Sequence, residues 1–167
     1  MAQAQEQENF DRAMAIVFEL EGGHVHRSKE ADPGGETNFG ISQRSFPDLN
    51  IKGLTAAQAR DLYLQDFWLE PRINRLDWPQ CLLVFDYGIH SGPLRAIREL
   101  QRLLGLRQDG IIGPVTTRAV SRMSNFRMRR YLVDRLNIMR SLRNWDENLN
   151  GWQYRVIKLA GYIPVDF

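Results

Sequence analysis

Two glutamates near the front of the chain, Glu19 and Glu21, close an apolar pattern with helical spacing. At about 100° per residue, Phe10, Met14, Val17 and Glu21 fall on one face of a helix and Glu19 falls on the opposite one. Glu21 therefore points along the stripe a helix would bury, and Gly22-Gly23 directly after it stops the helix. Partial burial disfavours a carboxylate, and the helix C-terminus is the negative end of the dipole. Both effects hold Glu21 toward its protonated form. A carboxylic acid that keeps its proton near neutral pH is the general acid that glycosidic-bond cleavage requires. By spacing alone, Glu21 reads more readily as a terminal helix residue with its head in water. The histidines open a different chemistry: the pair His24 and His26, with His90, would suffice for a catalytic zinc, although no metallopeptidase helix motif accompanies them.

After Glu21 the chain changes character. Asp32-Pro33-Gly34-Gly35 reads as a turn, and Thr37, Phe39 and Ile41 alternate with polar or small residues, which predicts a loop followed by a short hairpin. A glycosidase needs a second group facing its oxocarbenium-like transition state, and a Gly-Gly turn lets the backbone bring that group close to a sugar. Glu21-Gly22-Gly23, followed by the run from Asp32 to Ile41, resembles the signature of glycoside hydrolase family 108, the phage and bacterial N-acetylmuramidases of lysozyme-like fold. The order Glu, Asp, Thr is also similar to the catalytic set of phage-type lysozymes. The resemblance implies Glu21 as general acid, with Asp32 and Thr37 across the cleft, orienting a water or stabilising positive charge at the anomeric carbon. It implies Glu36, Asn38, Tyr87, His90 and Ser91 as substrate contacts. Two departures stand out: His24 occupies a position that is usually aromatic, and the loop before Asp32 is slightly longer than usual. Glu30 and Glu36 therefore remain alternatives for the second carboxylate.

The resemblance continues downstream. Phe85-Asp86-Tyr87-Gly88-Ile89-His90-Ser91-Gly92-Pro93 is similar to a block of the same family, with His90 where asparagine is usual. Leu100 to Gly105 and Asp109 to Thr116 resemble peptidoglycan-binding domains, and Gly151-Trp152 with Arg155 resembles the end of this family's C-terminal module. Physically these stretches read as a helix, a glycine cap, an Asp-Gly turn and a proline-started helix.

The elements that must position these residues are mostly helices. The patterns predict helices over residues 7–21, from a Thr55–Gln58 capping box to about Trp68, from Gln80 to His90 and from Leu94 to Leu104. Further helices are predicted from Pro114, over 126–143 and from Gly151 to Ala160. Trp68, Trp78, Trp145, Trp152 and Tyr154 offer flat faces for sugar rings, but core or interdomain packing is the expected role of most of them, and the sequence singles out none as a subsite. Residues 1–84 carry 8 basic and 13 acidic side chains, a charge of −5; residues 85–167 carry 14 and 7, a charge of +7. Such an excess suits a polyanionic partner, or arginines that pair with acids inside the fold.

At 43% hydrophobic and 25% charged, the 167 residues suit one ordinary folded domain or one with a small appendage, with no run apolar enough for a membrane span. Cys81 stands alone, which excludes an internal disulfide. The polar start MAQAQEQENFDR reads as neither a secretion signal nor an anchor. The expectation is a mainly α, lysozyme-like helical fold with a small β-hairpin near the front. Residues 1–92 would form the catalytic lobe and 93–167 a helical peptidoglycan-binding-like lobe, packed as one compact unit. The function implied by the resemblance is that of an endolysin-type muramidase of phage origin, a monomer without cofactor or metal, whose partner is bacterial peptidoglycan and not nucleic acid. It would remain in the host cytoplasm until a holin-type opening of the membrane admits it to the wall. The alternatives are a zinc-dependent amidase or peptidase acting on peptidoglycan through the histidines, and a non-enzymatic binder of nucleic acid or acidic glycan. The arginines of 126–143 scatter around the helix axis, which weakens the nucleic-acid reading.

Overall fold

A computed structural model describes residues 2–20, 37–42, 46–142 and 145–165. It is mainly helical. Helix α1 (Ala2–Leu20) buries Phe10, Met14 and Val17 of the stripe read from the sequence, with Ala13 beside them, and starts well before the expected residue 7. Helix α2 (Ala56–Leu64) opens on a complete capping box: the Thr55 hydroxyl accepts from the Gln58 backbone N–H, and the Gln58 side chain accepts from that of Thr55. It runs on into a wider π-type turn, Gln65–Leu69, which delivers Trp68 to the core at 1% exposure. Helix α3 (Gln80–Ser91) is buried over every residue from Gln80 to Gly88, as its nearly unbroken apolar run requires.

Helix α4 (Pro93–Leu103) turns back onto α3 after Gly92, whose φ of 86° lies in the region that favours glycine. Its Ile97 and Leu100 are buried, whereas Leu94 at the first turn is 52% exposed. Helix α5 (Pro114–Ser121) begins on proline, where the missing N–H costs nothing. The Asp-Gly turn before it is held by Gln101, itself buried: its Nε2 donates to Asp109 Oδ1 at 2.8 Å and to the Ile111 carbonyl at 3.1 Å, and its Oε1 accepts from the Gly110 N–H at 2.8 Å. Helix α6 (Asn125–Met139) ends earlier than expected, and α7 (Trp145–Ala160) starts earlier, so that Gly151 lies inside it.

The extended structure is small. Strands β1 (Thr37–Asn38) and β2 (Ile41–Ser42) pair antiparallel, Thr37 opposite Ser42 and Asn38 opposite Ile41. The β-hairpin expected at the front thus shrinks to a two-residue ladder closing a tight turn, and no wider sheet grows from it among the described residues. The turn residues Phe39 and Gly40 both have positive φ, 52° and 77°, the type I′ geometry that matches strand twist.

Among the described residues, one contiguous set of buried apolar side chains runs from Phe10 to Ile163 and draws on helices α1 to α7. Its aromatic centre lies between α1, α2 and α3. Phe10, Trp68 and Phe85 meet pairwise with ring centroids 5.2 to 6.0 Å apart, and Tyr63 joins them through Phe85. Cys81 is buried in the same region, and burial pushes its thiol up to about 12, which keeps it unreactive at neutral pH. No helix is long and apolar enough to cross a membrane among the described residues.

Candidate active site

Glu21, Asp32 and Glu36 lie outside the described residues, as do His24, His26 and Glu30; of Thr37 the backbone is described, paired with Ser42. The two ends of the segment that carries them are both placed, and one side chain holds both. Tyr63 of α2 meets Phe18, in the last turn of α1, edge to face with centroids 6.1 Å apart. Its hydroxyl donates to the carbonyl of Phe39 at 2.9 Å. Leu20, the last residue before Glu21, and Thr37 therefore depart from neighbouring anchors. A Cβ at Gly40 would approach the Tyr63 hydroxyl to 2.9 Å, so the turn fits against Tyr63 only as glycine. Asn38 completes the attachment: its Nδ2 donates to the carbonyls of Ile51 at 3.1 Å and Leu54 at 3.2 Å, which makes it an anchor of the turn. Sequence reasoning missed Tyr63, because its partner is a backbone carbonyl that no residue pattern announces.

The charge of Glu19, near the end of α1, is felt on α7. The Lys158 ammonium is favoured first by Tyr154 and further by Glu19, which raises its pKa.

Helix α3 presents the remaining expected contacts, and it separates them. His90 and Ser91 are partly exposed at its C-terminal turn, with His90 Nδ1 and Ser91 Oγ 2.9 Å apart. Tyr87 is a correction: expected at the sugar, it is fully buried, its ring 5.6 Å from that of Tyr131 and beneath the Arg135 guanidinium. Burial, then the charge of Glu99, pushes its phenol pKa up. Its position about two helical turns into α3, whose every residue from Gln80 to Gly88 is buried, turns it inward.

Behind this surface, Asp86 is buried among two arginines. Arg135 of α6 bonds its Oδ2, and Arg155 of α7 bonds its Oδ1 through Nε at 2.8 Å. Burial opposes the charge of Asp86, but the guanidiniums of Arg135 and Arg155 outweigh it and hold the carboxyl below its usual range. The sequence offered Asp86 only as part of a similar block; that its partners lie on α6 and α7 needed the fold. A recess of about 370 Å³ elsewhere, lined by Glu99, Arg102, Asp134, Asn137, Ile138 and Ser141, has its main charges already paired, Arg102 with Glu99 and with Asp134 at 2.8 Å each. The described residues contain no cluster of metal-binding side chains, and of the three histidines only His90 is among them.

Comparison with known proteins fits this layout. The family model described as Glycosyl hydrolase 108 matches residues 14–92, and the one described as Predicted Peptidoglycan domain matches residues 95–155. Among solved structures the chain is similar to that titled Structure of Brucella abortus SagA, with 33% identity, 93% of each chain covered and a TM-score of 0.80. No match was found among curated proteins. The helical fold and the two matched segments define a glycoside hydrolase acting on peptidoglycan. The chain belongs to the glycosyl hydrolase 108 family.

Proposed function

We propose that this enzyme is an N-acetylmuramidase that hydrolyses the β-1,4 bond between N-acetylmuramic acid and N-acetylglucosamine. The observation that carries this reading is the convergence of the end of α1 and the Thr37–Ser42 turn on Tyr63. It gives the acidic segment between them a fixed base at both ends, as a general acid and a second group facing one anomeric carbon would need. In this reading Glu21 protonates the leaving oxygen. Asp32 and Thr37 orient the attacking water or stabilise the positive charge that develops at the anomeric carbon. Glu36, His90 and Ser91 contact the glycan, and Asn38 keeps the turn in register. The biological role is that of a phage endolysin, made in the host cytoplasm and reaching the wall once the membrane is opened.

The test is a digest of purified peptidoglycan. Reducing ends of muramic acid should appear while free amino groups stay constant; amines without reducing ends would overturn the assignment in favour of amide cleavage. Glu21→Gln keeps the size and the hydrogen bonding of the side chain but cannot deliver the proton. Turnover should fall by a factor on the order of 10² or more with a native circular dichroism spectrum. Near-normal turnover would move the acid elsewhere.

A further inference from the structure

Beyond the buried Asp86, helices α3 and α7 meet again at their outer ends. There His90 stands perpendicular to Trp152 with ring centroids 5.2 Å apart. Trp145, two turns earlier on the same face of α7, meets Trp152 at 5.9 Å. Ser91 Oγ is in hydrogen-bonding range of His90, and all four residues are partly exposed. The other tryptophans are differently employed. Trp68 is in the core, and Trp78 lies under the Arg12 guanidinium at 3.9 Å and against Tyr162.

Large apolar rings beside a hydroxyl and an imidazole, at a surface, are what a pyranose ring needs. Its C–H face is apolar and its hydroxyl and N-acetyl edges are polar, so it matches an aromatic wall flanked by a few hydrogen-bonding groups. The position matters as much as the chemistry. His90 and Ser91 end the segment matched by the hydrolase family, and Trp145 and Trp152 belong to the segment matched by the peptidoglycan domain. We propose that Trp145, Trp152, His90 and Ser91 form a saccharide subsite for one N-acetylhexosamine ring of the glycan strand, built jointly by the two segments. The proposal deepens the muramidase reading and rests on it for the identity of the sugar. The C-terminal segment then contributes directly to holding the strand that is cut.

The experiment uses the full chain carrying Glu21→Gln, titrated with soluble β-1,4-linked N-acetylglucosamine oligomers and followed by tryptophan fluorescence and by the indole N–H resonances. Binding should shift the signals of Trp145 and Trp152 and leave that of Trp78 in place. Trp152→Ala should weaken binding by about tenfold, while Trp152→Phe, which keeps an aromatic face, should recover part of the loss. In the parent with Glu21 intact, Trp152→Ala should raise KM for glycan by a similar factor with kcat little changed. Should Trp152→Ala fail to fold, Trp145→Ala and His90→Ala decide, each expected to weaken binding several-fold. Unchanged affinity in the folded variants, or no perturbation of either indole by the oligomers, overturns the subsite. Failure of the muramidase reading is a separate result: reducing ends would be missing from the wall digest even where the oligomers still bind at Trp152.

Discussion

Tyr63 ties the end of α1 to the Phe39 carbonyl through a single hydroxyl and a single ring face. Tyr63→Phe keeps the ring packing and removes the hydrogen bond, leaving the part-buried carbonyl without that donor. The cost in stability should be about 1 kcal/mol, read as a lowered unfolding midpoint in urea. In the muramidase reading the cost in turnover should be larger than that figure suggests, because the turn it releases carries Thr37 and follows directly on the acidic segment. We expect kcat to fall several-fold with KM nearly constant; a kcat equal to the parent's would show that the turn keeps its place without the bond. The buried face of α1 was legible in the sequence, because helical periodicity places Phe10, Met14 and Val17 on one side. Tyr87 was misread because the sequence shows the run of α3 as apolar without showing that both of its sides are covered.

Elements were legible where local chemistry decides them. The Thr55–Gln58 box, the proline start of α5 and the apolar run of α3 each specify their helix within a turn. The limits of α6 and α7 were not, because Gly151 suggested a boundary where the helix continues. The first turn of α7 carries Asp146 and Glu147, which favour an earlier start against the helix dipole. Glycine within a helix costs about 1 kcal/mol relative to alanine, and an added Cβ at Gly151 meets nothing within 4 Å. Gly151→Ala should therefore stabilise the protein by about 0.5–1 kcal/mol, measurable as a raised thermal midpoint; a lowered midpoint would place this glycine under a constraint other than helix propensity. Asp86 belongs to the same scale, since it joins α3 to α6 and α7. Asp86→Asn would remove the buried carboxylate that Arg135 and Arg155 share, at a cost of about 3–5 kcal/mol by denaturant unfolding. Its depressed pKa also sets a pH dependence: the stabilisation is present above the ordinary carboxylate pKa and is lost as pH falls below it, through the folded-state value. Acid titration of stability should show a limb below about pH 4 that is missing in Asp86→Asn.

Over the whole molecule, the +7 of residues 85–167 divides into used and unused charge. Arg102, Arg130, Arg135 and Arg155 are engaged by carboxylates, and Arg129 donates to the Pro164 carbonyl at 2.9 Å. Arg98, Arg118, Arg122, Arg127 and Arg140 are exposed and make no ion pair with an acid among the described residues. Both readings of the basic half thus hold for different arginines. The exposed set should draw the enzyme to an anionic wall through a field that salt screens, with a Debye length falling from about 10 Å at 0.1 M to about 3 Å at 1 M. Lysis of whole wall should weaken over that range more than cleavage of short soluble fragments, which need no long-range steering. Equal sensitivity of the two substrates would assign the exposed arginines no part in capture.

The carboxylate of Asp86 also bears on heredity. Enzymes that attack walls are readily pictured as a cutting unit and a gripping unit that recombine freely, each bringing its own surface. Here a crossover anywhere between residues 92 and 95 would separate an anion from both of its cations, and would open apolar ground on either side of the break. A foreign C-terminal partner would have to supply not merely affinity for the wall but two arginines at the right depth. Exchange of the two segments should therefore succeed only as a pair, and a chimera joined between residues 92 and 95 should lose stability unless both arginines come with the new partner.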